Sequence, residues 1–494
     1  MLEDVDLERR IKKEDFKQLM DESLGYELGQ IQRDCRDAGM PVIIVLEGWR
    51  HSRRGDILGR LMQNMDARGF RVHSSSRFTE AQWGQPFFTR FWQLLPEPGN
   101  MAVYRHSWYY LKNEAEVDGE GKGICPVSFE AVNAFERQLT DGQYCLLKFF
   151  VHISEKQQKE NRKKAEKAQG KPWKAFAEIY SEVGNYEEFL RRYDGMITAT
   201  DTEHAPWHVV SGEDLEVAEH DIYTTILQEL RRKLTLFKAR KAAKLPATGA
   251  SDRTDVPAIL SGVDLDRKVE RSEYKKELKA YHKRLKELQV EAFNRGISTV
   301  LAFEGWDAAG KGGSIRRVTA ALDPMGFAVH PYAAPNEVER MYHYLWRFWV
   351  NVPRKGEIAV FDRTWYGRVL VERVEQITPD CDWRRGYEEI NEMERQWAEA
   401  DIAIAKFWIQ IDKKTQEERF KEREANPEKV WKITDEDWRN RSKWDLYEAA
   451  VNEMLDRTDT SYAPWTIVEG NDKYYARLKV LRTVVEMLER RLGQ

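Results

Sequence analysis

The chain is poor in cysteine, in long apolar runs and in net charge of either sign, and each shortage excludes something. Only four cysteines occur in 494 residues, Cys35, Cys125, Cys145 and Cys381, and no two form a C-x-x-C pair. That usage argues against a disulfide framework, and reduced, mostly buried thiols in a cytoplasmic protein are expected. No stretch approaches the roughly 18 apolar residues of a membrane span, and the opening MLEDVDLERRIKKEDF lacks the apolar centre of a secretory signal. Lysine plus arginine (79) nearly balance aspartate plus glutamate (83), for a formal net charge of −4. Such a balance speaks against a general nucleic-acid coat, so an anionic ligand must be met by local basic clusters. Neither a nucleic acid nor a membrane is expected as a partner.

What the chain does contain is itself, twice. Residues 42–111 align with 299–368 without a gap at a constant offset of 257. EGW at 47–49 matches EGW at 304–306, GFRVH at 69–73 matches GFAVH at 326–330, and AVYRHSWY at 102–109 matches AVFDRTWY at 359–366. The match resumes at offset 258, where KFFVHI faces KFWIQI and DTEHAPW faces DTSYAPW. Register kept over such lengths means a duplicated domain. Residues 1–240 form the first copy and 265–494 the second. Between them, 241–264 holds the Pro-, Gly- and Ser-rich stretch of a linker. After it, EYKKELKAYHKRLKELQVEAF (273–293) carries leucines and aromatics at spacings of three and four, an amphipathic helix expected to pack on the second domain.

In the second copy TVLAF, EIAVFD, AIAKFWIQI and PWTIVEG read as strands separated by helical segments. Short, nearly continuous apolar runs of this kind indicate a parallel sheet covered on both faces, an α/β fold with ligands at the carboxyl ends of its strands. The first strand runs into EGWDAAGKGG, which has the frame Gly305-x-x-x-x-Gly310-Lys311 of a phosphate-binding loop. Gly305, Ala308, Ala309, Gly310, Gly312 and Gly313 would bring backbone N–H groups to phosphate oxygens at a helix N-terminus, and Lys311 would reach the terminal oxygens. Gly312 stands where a magnesium-binding Ser or Thr usually follows the lysine.

Two carboxylates are candidates to replace that hydroxyl as metal ligands. Asp307 lies inside the loop and Asp362 ends the strand EIAVFD. Alone, Asp362 reads equally as a solvated strand end or a helix cap; beside Asp307 and Lys311 the metal reading is favoured. Arg363, Arg368 and Arg373 follow closely, and guanidinium forks match phosphate oxygens. Arg316, Arg317, Arg340 and Arg347 are weaker candidates for a basic groove. The stretch 418–450, broken at Pro427 and with Thr434 and Asp437 placed as a helix cap, suggests a helical hairpin. It carries Arg419, Lys429, Lys432, Arg439, Arg441 and Lys443, and reads either as a solvated charged surface or as a lid over phosphates.

The first copy serves as a control. Asp307 corresponds to Arg50, Gly310 to Arg53, Lys311 to Arg54, Asp362 to Arg105 and Arg363 to His106. In the hairpin, Arg419, Arg439 and Arg441 correspond to Asn161, Ser181 and Val183. Packing residues such as Trp49, Trp92, Trp108 and Trp207 persist. The first copy is therefore expected to keep its fold and to lack catalysis, and Arg53 is expected to obstruct a cradle that only glycine fits.

The motifs GWDAAGKGG, DRTWYGRVLVERV, WKITDEDW…WDLYEAA and TSYAPWTIVEGNDKYYARL resemble the polyphosphate kinase 2 family through essentially all of 265–494. A degenerate copy ahead of an intact one is similar to the two-domain members of that family. The resemblance implies two tandem P-loop kinase-like, three-layer α/β/α domains with a helical lid. It also implies transfer of a phosphoryl group from inorganic polyphosphate to AMP, with Mg2+ or alternatively Mn2+. In this reading Asp307, Lys311, Asp362, Arg363 and Arg368 are catalytic, and Arg373, Arg419, Lys432, Arg439 and Arg441 bind phosphate. The partners are polyphosphate, AMP and ADP, and an assembly of identical chains, a dimer, is expected. Thr364 departs from the serine usual in the family but keeps the hydroxyl. Two rivals stand beside this reading: an ATP-dependent nucleotide kinase of the same fold, and a non-enzymatic polyphosphate- or nucleotide-binding regulator.

Overall fold

Runs such as VIIVL and TVLAF can satisfy their backbone and bury both faces only as inner strands of a parallel sheet, and that is where they lie. In a computed structural model, residues 1–74, 85–117, 127–167, 185–427, 433 and 435–494 are described. The chain divides into two compact units with its principal change-over at Ala243/Lys244.

Each unit holds one five-stranded, all-parallel sheet. In the first, β1 (Val42–Gly48), β2 (Phe70–Ser74), β3 (Met101–His106), β4 (Cys145–His152) and β5 (Trp207–Ser211) take the order β2-β3-β1-β4-β5. In the second, β6 (Thr299–Gly305), β7 (Phe327–Pro331), β8 (Ile358–Asp362), β9 (Ala403–Gln410) and β10 (Trp465–Glu469) repeat that order as β7-β8-β6-β9-β10. Four of the five strands of the second sheet coincide with the apolar runs. The fifth, β7, sits at the edge with most of its side chains exposed. Its apolar run, Phe-Ala-Val, is only three residues long, whereas the other edge strand, β10, carries the longer run WTIV.

The helix Arg271–Arg295 spans the amphipathic segment and buries Tyr274, Leu285, Leu288 and Ala292. It packs against the C-terminal helix Lys473–Leu492, where Tyr274 stacks on Tyr474 at 4.5 Å and Arg284 pairs with Glu489 at 2.7 Å. Cys35 and Cys145 are buried and Cys381 is exposed; Cys125 lies outside the described residues. Among the described residues no helix is long and apolar enough to cross a membrane.

Both cores contain the same buried polar node. In the second unit Lys406 Nζ donates to Glu394 Oε2 (2.8 Å), Tyr366 Oη (2.8 Å) and the Thr458 carbonyl (2.7 Å). Glu394 Oε1 accepts from Trp365 Nε1 (2.9 Å) and Tyr366 Oη (2.7 Å). In the first unit Lys148, Glu136, Tyr109, Trp108 and Thr200 reproduce this set with partner distances of 2.6–3.0 Å. A buried ion is tolerated only when fully paired and hydrogen-bonded, so the five residues stand or fall together.

The segment after Lys244, read as a linker, is laid as a strap over the second unit. Thr248 N, Thr248 Oγ1 and Gly249 N donate to the Asp380 carboxylate at 2.7–3.0 Å. The Asp380 N–H donates to the Pro246 carbonyl (2.7 Å), and buried Leu260 donates its N–H to Asn452 Oδ1 (2.9 Å).

Candidate functional site

The site is built where β6 ends beside β8, whose register sets Phe303 opposite Asp362. Leaving β6, the backbone turns sharply at Gly305, with φ 147°. A Cβ there would stand 2.6 Å from the Ile409 carbonyl oxygen of β9. Gly48 meets the same obstacle at Val151, which explains why both copies keep this glycine. The loop then enters the helix Lys311–Thr319 with Gly310 as its N-cap residue at φ 114°. Gly312 and Gly313 open that helix, and Lys311 Nζ donates to the carbonyls of Gly305 and Trp306.

Arg53, the counterpart of Gly310, shows what the glycine is for. A Cβ at Gly310 would meet no protein atom within 4 Å, so the protein itself does not crowd the position. What glycine permits is the dihedral: Arg53 takes φ 63° where Gly310 takes 114°. At this position the backbone conformation of the loop differs between the copies. Arg54 also differs from Lys311. Its Nη1 donates to the Glu47 carboxylate (3.2 Å), the Leu46 carbonyl (3.3 Å) and the Arg105 carbonyl (3.4 Å).

The strand-end carboxylate Asp362 is followed by Arg363 at φ 64°, a left-handed conformation that its counterpart His106 does not share. Strain of this kind persists only where the surroundings impose it. Next to Arg363, Glu304, buried at the end of β6, accepts through Oε1 from Thr364 N (2.7 Å) and Thr364 Oγ1 (2.8 Å). Burial pushes the Glu304 carboxyl above its usual range, while Lys311 and the Thr364 bonds act against that rise. Glu47 and Ser107 make the same pair of bonds in the first unit. Trp306, whose Nε1 donates to Gln410 Oε1 (2.8 Å), stacks on Trp444 at 3.7 Å and 7°. Trp49 stacks likewise on Tyr186 at 4.2 Å and 9°. Glu304 and Trp306, like Glu47 and Trp49 in the first unit, therefore build the frame, and the candidate residues around them differ.

The arginines do not act as one group. Arg363 is exposed beside Asp362. Arg368 lies over the Tyr344 ring at 4.0 Å and pairs with Glu372 (2.8 Å) and Thr378 (2.9 Å), leaving its buried Nε without a partner. Arg373, grouped with the phosphate binders, is buried instead: it pairs with Glu453 (2.9 Å), bonds Tyr387 (2.8 Å) and holds the Gly249 carbonyl of the strap (3.0 Å). Arg419 is also buried, and its guanidinium donates to the carbonyls of Ala308, Ala309, Gly470 and Asn471 at 2.7–3.1 Å. It ties the phosphate loop to the end of β10. Asn161 keeps a single bond of that set, to the His51 carbonyl at 2.9 Å.

The hairpin comprises the helices Lys413–Glu424 and Asp435–Ser442, followed by Trp444–Thr458. Lys429, Lys432 and Thr434, like Ser181 and Val183, lie outside the described residues. Arg441 bonds the Lys413 carbonyl (2.6 Å), Gln416 (3.2 Å) and Glu417 (2.8 Å), so the second helix is fastened to the first. Glu375 gathers Lys443 (2.7 Å), Tyr447 (3.2 Å) and Arg439 (3.7 Å). Gln416 Nε2 donates to the Asp307 carbonyl (3.1 Å), and Asn440 Nδ2 to Asp307 Oδ2 (3.3 Å). Glu375, Gln416 and Asn440 escaped the reading of the sequence because isolated polar residues on charged helices carry no motif.

Beside the loop lies a cavity of about 220 Å³ whose charged lining is Arg419, Glu422, Arg423, Lys473 and Arg477. No aromatic side chain lines it among the described residues. Among those residues, too, no three His, Cys, Asp or Glu side chains converge as a metal cage. Asp307 and Asp362 are half-buried oxygen donors. This donor set suits a hard cation held by one or two carboxylates and completed by substrate phosphates.

Comparison with known proteins meets this geometry. The sequence profile of polyphosphate kinase 2 matches residues 10–238 and again 268–494. The chain is 40% identical to a "Polyphosphate:AMP phosphotransferase" of Pseudomonas aeruginosa, with 99% of each chain covered. It is 33% identical to a protein of the same name from Acinetobacter johnsonii, covering 95% of this chain and 97% of that one. A crystal structure of a polyphosphate kinase 2 from Pseudomonas aeruginosa superposes with a TM-score of 0.87 at 38% identity, over 100% of both chains.

Proposed function

The chain belongs to the polyphosphate kinase 2 family, and on that premise we propose that it passes the terminal phosphoryl group of inorganic polyphosphate to AMP, forming ADP. The observation that carries the reading is an asymmetry between the copies. Only the second combines a loop bearing Lys311 with the carboxylates Asp307 and Asp362 at the ends of neighbouring strands. The basic cavity beside the loop suits a polyanionic donor better than an adenine ring, which favours aromatic or apolar walls.

In this mechanism the nucleophile is an oxygen of the AMP phosphate, largely ionised at neutral pH, so no strong base is needed. A new P–O bond forms to that oxygen as the P–O bond to the rest of the polyphosphate breaks, and the shortened chain leaves with the electron pair. The loop amides and Lys311 hold the donor's terminal phosphates, and Arg363 and Arg368 neutralise charge on the transferring group. Asp307 and Asp362 would hold a divalent cation. Magnesium, with manganese as the alternative, supplies charge neutralisation and a fixed orientation of phosphate oxygens. The lid helices exclude water, so the phosphoryl group reaches AMP and not solvent.

Incubating the protein with AMP, magnesium and either polyphosphate or ATP tests this directly. ADP is expected from the polyphosphate arm. ADP formed with ATP as the sole effective donor would overturn the reading.

A further inference from the structure

Glu375 stands where two parts of the site meet. It follows the short helix Val371–Val374, on the segment that leaves β8 at Asp362. Its side chain is only 12% exposed, and its carboxylate takes Lys443 Nζ at 2.7 Å and Tyr447 Oη at 3.2 Å, with Arg439 Nε at 3.7 Å. Lys443 is the joint between the helices Asp435–Ser442 and Trp444–Thr458. On one side of that joint Asn440 bonds Asp307, and on the other Trp444 stacks on Trp306. One carboxylate thus connects the segment after β8 to residues that lie against the phosphate loop.

The turn bearing Glu375 is fixed from behind. Gln376 takes φ 55°, and the Ile377 N–H donates to the Glu372 carbonyl at 2.9 Å, the left-handed close of a helix. Arg373 holds the Gly249 carbonyl of the strap at 3.0 Å, and Gln376 Nε2 donates to the Thr248 carbonyl at 3.2 Å. The twin copy supplies an independent observation. Arg439, Lys443 and Tyr447 correspond to Ser181, Asn185 and Phe189, so two charges and a phenol hydroxyl are gone there. The stack beside them survives, as Trp49 on Tyr186. Contacts of the frame recur in both units, whereas the donors to Glu375 accompany Lys311 and the two aspartates.

We infer that Glu375 is a positioning residue for phosphoryl transfer, pinning the joint of the hairpin to the segment that carries Asp362, Arg363 and Arg368 and so setting those residues against the phosphate loop. This deepens the reaction proposed above and rests on it. Glu375 takes no part in making or breaking bonds. Its effect is on distance, since in-line transfer slows steeply when the reacting groups are held even slightly out of place. A joint no longer pinned also admits water as a competing acceptor. Phosphoryl groups taken by water appear as orthophosphate in place of ADP. An exposed ion pair contributes little; here a single carboxylate, largely withdrawn from solvent, serves three partners.

The test supplies full-length chains with polyphosphate, AMP and Mg2+, and reads ADP and orthophosphate formed beside a melting curve. Glu375→Ala is expected to lower kcat on the order of 10-fold or more and to raise orthophosphate relative to ADP, at an unchanged melting temperature. Glu375→Gln, which keeps an acceptor without the charge, should fall between, and decides by the same readouts if the alanine variant does not fold. Lys443→Met should resemble Glu375→Ala, and the double variant should be little worse than either, because both remove one contact. A normal kcat and product ratio in Glu375→Ala would overturn the inference. So would losses that multiply in the double variant, or a slower rate that only follows a lower melting temperature. The unaltered chain separates the two levels. If it forms ADP from polyphosphate and Glu375→Ala does so equally well, the Glu375 inference alone falls. If the unaltered chain forms none, the proposed reaction falls as well.

Discussion

Lys406 and Glu394 form an ion pair at 2.8 Å with neither side chain exposed to solvent, and Lys148 and Glu136 repeat it at 2.7 Å in the unit where Arg50 and Arg105 replace Asp307 and Asp362. The pair therefore belongs to the fold and not to the reaction. Each glutamate holds the Trp-Tyr step that follows the strand-end residue, Asp362 in one unit and Arg105 in the other. Lys406→Met leaves Glu394 buried and unpaired. It should cost about 3–5 kcal/mol, read as a lowered urea midpoint of the second unit. Lys148→Met should cost the first unit a similar amount.

The first unit should be the more acid-sensitive. His152 Nδ1 accepts the indole N–H of Trp49 at 2.8 Å, where the second unit uses the non-titrating Gln410. Burial holds the His152 imidazole down at about 4, against an ordinary 6.5. Between those values the unfolded chain binds a proton that the folded chain refuses, so stability falls as pH drops from about 6.5 towards 4. His152→Gln should flatten this dependence. Denaturant midpoints of both forms at pH 7 and pH 5 check it.

Thr364 should be replaceable by Ser and not by Val. Its hydroxyl is one of two donors to buried Glu304. Thr364→Ser keeps both bonds and should retain near-normal turnover. Thr364→Val should cost about 1–3 kcal/mol of stability and slow the reaction by loosening the segment Asp362–Arg368. Thermal melts and initial rates distinguish the two.

Arg419→Met should act first through structure, because the guanidinium that lines the cavity also holds the loop in place. Four carbonyls lose their donor, two in the phosphate loop and two beyond β10. A loss of roughly 3 kcal/mol or more is expected, with a raised KM for the donor. Arg419→Lys, which cannot span both pairs, should fall between.

Asp362→Asn should lower turnover by more than about 100-fold with an unchanged melting curve, because the half-buried carboxylate stands at a strand end, outside the buried core. A variant with normal rates would remove Asp362 from the cation site.

The repeat and the apolar runs made most of the architecture readable in advance, since a strand buried on both faces must be written in apolar residues. Strand β7 was not read, because its apolar run, Phe-Ala-Val, is too short to stand out. Within the site, the loop frame and the strand-end aspartate are local patterns and were legible as such. Arg373 and Arg419 were not, because a charged stretch does not show which guanidinium turns inward. Asn440 could not be singled out at all: its meaning depends on a partner 133 residues away. The twin copy offered one hint, since Asn161 in place of Arg419 is still polar and still bonds the loop.

The strap from Pro246 to Leu260 changes where the second unit begins. The duplication can be traced from the strands onward, but Asp380, Arg373 and Asn452 each lean on residues that precede Arg271. A fragment started at residue 265 would inherit the whole repeated sequence and still lack part of its own surface. One started at 244 would carry it. The unit that was copied in ancestry is thus smaller than the unit that folds.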